Sequence, residues 1–499
     1  MNKYLPYIIA ILVVILFRAI LPAPILDDAF ITAHIARNLA SGMGMVHNTD
    51  ERIFTATTAL WTFLNAGLRA LNIDSVVALF ILSFLSEIFL AIILIRLGKI
   101  IFNNPWIGAF TSILLTTSLP FIVSSYGGME IALSLITIAL AFLFLTEDKP
   151  NMALVISAIS IWVRFDNVLL FAFIFLWIIV KKREKFSWKF LIAPFFILLS
   201  YFVFAQAYFG TPLPISVLRK AAFPNASWVL GASAIAVQFF KIAVGIADPL
   251  ITSHSLHWIV LPLSGLGIYS LSSKSRPKFT PIIIFSLFYI LIWTITGKTY
   301  ATLFVWYFIP PLLGIFLLCA MGVVTLSNFI SNGLIRKVVV SVGLIIWITA
   351  TLFFANSRMD DYLETTYATR EKTYSAITLW LNKKLPENST ICAGEIGAIR
   401  FYAKPTIKVL DMVGLTRPLS DKRLPINLIK EERPEAIIYW PLKGQSYAQI
   451  SSIYKNYDFG DINGIMIGVR KDLADFVFND SYELIEIFEK VKLDSENPI

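Results

Sequence analysis

Apolar runs of membrane-crossing length recur along this chain and constrain it more than any other feature. A helix needs about 20 predominantly apolar residues to cross the hydrocarbon core of a bilayer. Such runs fall at Leu5 to Leu21, Ser75 to Ile95, Trp106 to Ser124, Ile131 to Leu145, Met152 to Val163 and Val168 to Val180. They continue at Phe190 to Tyr208, Leu256 to Leu271, Pro281 to Thr296, Thr302 to Leu326 and Val338 to Phe354. The reading is an all-α, polytopic membrane bundle of about eleven spans, some short enough to be tilted. Composition agrees, because 57% of the 499 residues are hydrophobic and 15% are charged, against about 45–50% and about 25% in a soluble domain. The formal charge of +9 carries no nucleic-acid signal, since Lys and Arg sit in short clusters between the apolar runs. The first run is long for a signal peptide and is expected to stay as a helix.

Basic loops set the orientation. Lys3, Arg96 with Lys99, Lys149, Lys181 to Lys185, Lys274 to Lys278, and Arg336 with Lys337 fall on alternate loops, which makes those loops cytoplasmic in a plasma (inner) membrane and places the N-terminus with them. The stretches 25–74, 125–130, 164–167, 209–255 and 297–301 then face outward, as does everything after 356. Acidic residues and turn signals increase after Asn356, and short β-type runs at Thr390 to Ala393, Ile407 to Leu410, Ala436 to Tyr439 and Ile465 to Val469 alternate with helical patterns. The expected division is a transmembrane domain over 1–355, with its first external loop at 25–74, and a small extracytoplasmic α/β domain over 356–499. Cys319 and Cys392 lie in different environments, so neither a disulfide nor a metal-type spacing is expected.

The first outward loop carries the strongest chemical signal. Asp27 to Gly42 reads as a helix capped by an aspartate, stopped by Gly42 and lying along the membrane surface, with Ile31, Ile35 and Leu39 on one side and His34, Arg37, Asn38 and Ser41 on the other. Capping needs one carboxylate, whereas Asp27 and Asp28 repel each other unless a proton, a cation or a hydroxyl-bearing substrate shares them. Such a carboxylate beside lipid headgroups can act as general base on an acceptor hydroxyl. The pair could also bind a divalent cation (Mg, Mn or Ca) through oxygen, although two ligands do not make a site.

Asp27-Asp28-Ala29-Phe30-Ile31, Ala36-Arg37-Asn38-Leu39, Gly42 to Val46 and Leu60-Trp61-Thr62 resemble the opening of a family within the GT-C glycosyltransferases. That family includes arabinofuranosyltransferases of actinobacterial cell walls. Gly128-Met129-Glu130, Arg164-Phe165-Asp166, Tyr208-Phe209-Gly210, Lys220, Trp306-Tyr307-Phe308, and Gly394 through Gly397 with Asp411 and Gly414 continue the likeness over almost the whole chain. His34, Phe165 and Ile215 depart from the pattern, which has Arg, Pro and Asn at those places. The resemblance implies a GT-C-like bundle, a polyprenyl-phosphate sugar as donor, inversion at the anomeric carbon, and Asp27 or Asp28 as the base.

Other residues have two readings each. His34 and Arg37 would face substrate from the loop helix. Glu130 suits a helix N-terminus and also substrate binding; Arg164 and Asp166 read equally as a structural ion pair and as substrate positioning. Lys220 would offset phosphate charge, and Tyr307 fits either an aromatic belt or the site. Glu87 and Arg18, inside apolar runs, read as a helix-packing ion pair. His254, His257 and Lys298 read as loop polarity.

The expected function is a glycosyltransferase taking a lipid-linked sugar donor to a glycan or lipid acceptor of the cell envelope. The alternative is a multi-pass lipid or solute transporter or flippase, which would hold its polar groups near the midplane on broken helices.

Overall fold

The computed structural model describes residues 3–49, 51–181, 187–222, 237, 239, 259–271, 274–296, 304–364, 370–423, 425–439 and 456–478. From the N-terminus come α1 (Leu5–Ile20), α2 (Asp27–Ala40), α3 (Ala59–Ala70), α4 (Ser75–Phe102), α5 (Pro105–Thr116), α6 (Leu119–Tyr126), α7 (Ile131–Thr146) and α8 (Pro150–Val163). They are followed by α9 (Val168–Lys181), α10 (Ile192–Phe209), α11 (Ile215–Ala222), α12 (Val260–Tyr269), α13 (Arg276–Thr296), α14 (Ile309–Asn328) and α15 (Gly333–Tyr362). His254, His257 and Lys298 lie outside the described residues, as does the side chain of Lys220.

Among the described residues each apolar run folds largely as helix. Helices at Ser75–Phe102, Trp188–Phe209, Arg276–Ile295, Val305–Asn328 and Gly333–Asp361 are long and apolar enough to cross a membrane singly. The run at Trp106 to Ser124 is not one straight span: α5 and α6 meet at a 70° bend. Thr117 and Ser118 interrupt the helix, and Pro120 in the first turn of α6 has no N–H to continue the ladder. The remaining apolar helices are shorter, 14 residues in α9 and 10–16 in α1, α7, α8 and α12. Capping sharpens the boundaries. Asp74 accepts from Val76 N–H at 2.8 Å to start α4, and Asn332 accepts from Leu334 N–H at 2.9 Å to start α15.

Two devices hold the helices in register. Inside the bundle, Arg18 forks onto Glu87 at 2.9 and 2.6 Å, Ser125 Oγ donates to Glu87, and the Arg18 guanidinium lies 3.8 Å from the Tyr126 ring centroid. An ion pair supported by further hydrogen bonds is the form in which such charges persist away from water. Close approach does the rest: a Cβ on Gly267 would stand 2.1 Å from Leu318 O and one on Gly322 1.9 Å from Leu263 O, so α12 and α14 touch backbone to backbone. At one end of the bundle Glu147 takes Arg96 at 2.8 Å and Lys149 at 2.7 Å, and Lys278 donates to Ile100 O at 3.2 Å. Basic segments far apart in sequence thus meet at a common end.

Beyond α15 the chain forms α16 (Glu371–Lys384), β1 (Thr390–Ala393), α17 (Gly397–Tyr402), β2 (Lys408–Asp411), α18 (Pro425–Glu432), β3 (Ala436–Tyr439), β4 (Tyr457–Ile462), β5 (Ile465–Arg470) and α19 (Lys471–Phe478). Its five-stranded sheet has the order β2-β1-β3-β5-β4, with β1 parallel to both neighbours and β5 antiparallel to β3 and β4. Asn463 and Gly464, both at positive φ, make the two-residue turn of the β4–β5 hairpin.

Candidate active site

α2 joins the bundle to the sheet. It ends as read, with Gly42 at φ +81, Gly42 N–H bonded to Leu39 O and Met43 N–H to Asn38 O, the two bonds that satisfy a helix C-terminus ending on glycine. Its start differs from the expectation. The N-cap is Leu26 without a side-chain bond, and Asp27 and Asp28 are the first two helical residues.

Asp27 instead caps another helix. Its Oδ2 accepts from Gly397 N–H and its Oδ1 from Ala398 N–H, both at 2.9 Å, closing the N-terminus of α17. A Cβ on Gly397 would stand 1.9 Å from Asp27 O, so only glycine lets the two helices approach this far. Asp27 is 7% exposed, whereas Asp28 beside it is exposed. Burial pushes the Asp27 carboxyl up from its ordinary range; the Ala398 and Gly397 N–H groups pull it back and the charge of Asp28 adds to the rise.

More carboxylates gather here. Arg370 donates to Glu395 at 3.0 Å and lies 3.9 Å from Glu371. Burial, then the charge of Asp27, pushes Glu395 up to about 8, and burial pushes Glu371 up to about 7. Because 41% of the Glu395 side chain reaches solvent, screening moderates that shift without reversing it. Among the described residues no group of three or more His, Cys, Asp or Glu is arranged to hold a metal ion.

The polar face of α2 is covered rather than open to solvent. His34 is 1% exposed and its Nε2 meets His47 O at 2.8 Å, while Arg37 Nη2 lies 3.0 Å from His34 Nδ1 and donates to Phe401 O at 2.8 Å. Phe30 packs on Phe401 at 5.3 Å between centroids. Asn48 bonds the Val409 backbone in both directions at 2.9 and 3.1 Å, and Arg400 Nε donates to His47 O at 2.9 Å. His34 is therefore enclosed between α2 and the sheet domain, and Arg37 ties α2 to α17.

Glu130, Arg164, Asp166 and Tyr307 come together as a second cluster. Arg164 pairs closely with Glu130, forks onto Asp166 with both bonds at 2.9 Å, and lies 5.6 Å from the Tyr307 ring centroid. Tyr289 OH donates to Asp166 at 3.2 Å, and the Trp293 ring lies tilted against Tyr307 with centroids 4.6 Å apart. Tyr289, Trp293, Tyr307, Phe308 and Pro311 line a small pocket beside this network. Tyr289 and Trp293 were missed because they look like ordinary aromatics of an apolar run; their four-residue spacing on one helix face was the available signal. The clusters adjoin through the Gly127–Glu130 turn, where Leu26 N–H bonds Gly127 O at 3.1 Å and Trp61 Nε1 bonds Gly128 O at 3.1 Å. Lys220 lies on α11, and its side chain is outside the description.

Comparison with solved structures now bears on this arrangement. ArnT from Cupriavidus metallidurans bound to undecaprenyl phosphate superposes with a TM-score of 0.60 at 9% identity, covering 93% of this chain and 97% of that one. Its apo state gives 0.59 at 10% identity over the same shares. The archaeal oligosaccharyltransferase AglB from Archaeoglobus fulgidus, in complex with an inhibitory peptide and a dolichol-phosphate, gives 0.53 at 9% identity, covering 93% of this chain and 74% of that one. At these identities the likeness is one of overall fold. Residues 362–495 match a domain of unknown function (DUF8728). No curated protein matches the sequence.

Proposed function

We propose that this chain is an inverting glycosyltransferase that moves a sugar from a polyprenyl-phosphate carrier to a glycan or lipid acceptor of the cell envelope, on the extracytoplasmic face. The observation that carries the reading is the unequal twin aspartate: within a fold shared with a protein that holds undecaprenyl phosphate, Asp27 is buried while Asp28 is exposed on the same first turn. Asp28 is the base, and Asp27 fixes its position by anchoring α2 to α17. The Asp28 carboxylate takes the proton of an acceptor hydroxyl as that oxygen bonds the anomeric carbon; the bond to the carrier phosphate breaks, and the phosphate leaves with its electron pair.

Basic segments meeting at the opposite end of the bundle support an outward-facing Asp28. The bonded Arg164 network favours positioning over phosphate binding for Glu130, Arg164 and Asp166, with Tyr289 buttressing Asp166 and Tyr307 lying nearer the substrate. Lys220 on α11 would meet the carrier phosphate. The start of the matched family domain at 362 supports a division close to 355/356 between a transmembrane catalytic domain and an extracytoplasmic domain that helps hold acceptor. The test is to incubate purified protein in proteoliposomes with labelled polyprenyl-phosphate sugars and envelope acceptors. Transfer of label is expected; solute or lipid movement without any transfer would replace the reading by a transporter.

A further inference from the structure

The loop after β2 closes on itself: Asp411 accepts from Val413 and Thr416 N–H at 2.7 and 2.9 Å, and Gly414 turns the chain at φ +89. Two guanidinium groups converge over Gly414. A Cβ there would stand 3.1 Å from Arg417 Nη2, 3.6 Å from Arg417 Nε and 3.6 Å from Arg219 Cζ. Arg219 arrives from α11 and bonds the carbonyl oxygens of Pro418, at 2.7 Å, and Asp421 through Nη2. Arg417, 5% exposed, donates Nη2 to Arg423 O at 3.2 Å and holds Nη1 3.0 Å from Asp421 Oδ1.

These contacts leave donors over. Among the described residues, Arg219 Nε, Arg417 Nε and Thr416 Oγ1 are buried without a hydrogen-bond partner. Neighbouring acceptors are engaged elsewhere, Asp411 with its own loop and Asp421 with Arg417 and Arg423. Buried charged donors without acceptors are costly, and neighbouring like charges repel. The missing partner must bring acceptor oxygens and negative charge.

We propose that Arg219, Arg417 and Thr416 form a binding site for a phosphate-class oxyanion, closed on one side by α11 and on the other by the 411–417 loop. Forked guanidinium groups match the oxygens of a phosphate, and a hydroxyl completes the set. Asp421 acts as the strut that holds Arg417 in place. The inference does not depend on sugar transfer, because the unanswered donors need an acceptor whatever reaction occurs nearby.

The experiment measures binding of inorganic phosphate and of a short-chain polyprenyl phosphate to the purified full-length protein, alongside Arg417→Gln, Arg219→Gln and Thr416→Val. At least one probe should bind the wild type, and each arginine variant should weaken it about tenfold or more, as expected for loss of a charge-assisted hydrogen bond. Comparable affinity for both probes identifies a free or acceptor-borne phosphate; binding of the polyprenyl phosphate alone identifies a lipid headgroup. Arg219 is only half-buried, so its variant remains informative if Arg417→Gln does not fold. Wild-type affinity in a folded Arg219→Gln variant, or failure of both probes to bind the wild type, would overturn the proposal.

Discussion

Asp27 Oδ2 accepts the Gly397 N–H at 2.9 Å across 370 positions of sequence, and through that bond the first turn after the first membrane helix is fixed to the sheet domain. The contact also requires the absence of a side chain at Gly397, since any Cβ would meet Asp27 O at 1.9 Å.

Gly397→Ala is therefore expected to push α17 off α2 and to cost about 1–3 kcal/mol, the range for forcing an extra carbon into a packed site. Thermal unfolding in detergent measures it. A stability equal to wild type would mean that the two helices have room the structure does not show.

Glu395 gives a pH signature. Burial and the charge of Asp27 push its carboxyl up toward about 8 in the folded protein, moderated by its partial exposure, against about 4.3 when unfolded. Between these values the folded state holds a proton that the unfolded state has released, so this group's contribution to stability falls as pH rises from about 4.3 to about 8. Glu395→Gln should remove that decline and gain on wild type toward pH 8. Unfolding midpoints of both proteins from pH 5 to 9 test the sign; a variant that loses ground to wild type as pH rises contradicts it.

Breaking the Arg18–Glu87 pair should be severe. Glu87→Leu leaves a largely buried guanidinium unneutralised, expected to cost about 3–5 kcal/mol, whereas Arg18→Met with Glu87→Leu together should recover much of the loss. Unfolding midpoints of the single and double variants show whether the two changes compensate. Simple additivity would show that the residues do not act as a pair.

Sequence patterning went far for the bundle and less far for the site. Apolar runs located the membrane helices because bilayer thickness imposes their length, yet the bend at Thr117–Ser118 escaped notice since it lies within one unbroken apolar run. Strands β1 and β3 stand where β-type runs were read, but β4 was missed: Asp458, Gly460 and Asp461 weaken its apolar alternation, and the Asn463-Gly464 turn beyond it was the overlooked signal. At the site, Asp27 and Asp28 were visible as an unusual pair, and their inequality was not. Which one is buried depends on Gly397 and Ala398, and no local pattern reports a contact between residues so distant in sequence. The enclosure of His34 has the same cause, because the face that reads as polar and solvent-facing is covered by Arg400, His47 and Phe401.

The central claim is that Asp28 removes the acceptor proton while Asp27 positions it. Single-turnover transfer from a labelled polyprenyl-phosphate sugar, compared in wild type, Asp28→Asn and Asp27→Asn at matched folded protein, tests this most directly. Asp28→Asn should keep its unfolding midpoint and slow the transfer step by about 10²–10⁴-fold, the usual contribution of a general base. Asp27→Asn should lower the midpoint and slow transfer less. A folded Asp28→Asn enzyme transferring sugar at the wild-type rate would contradict the account.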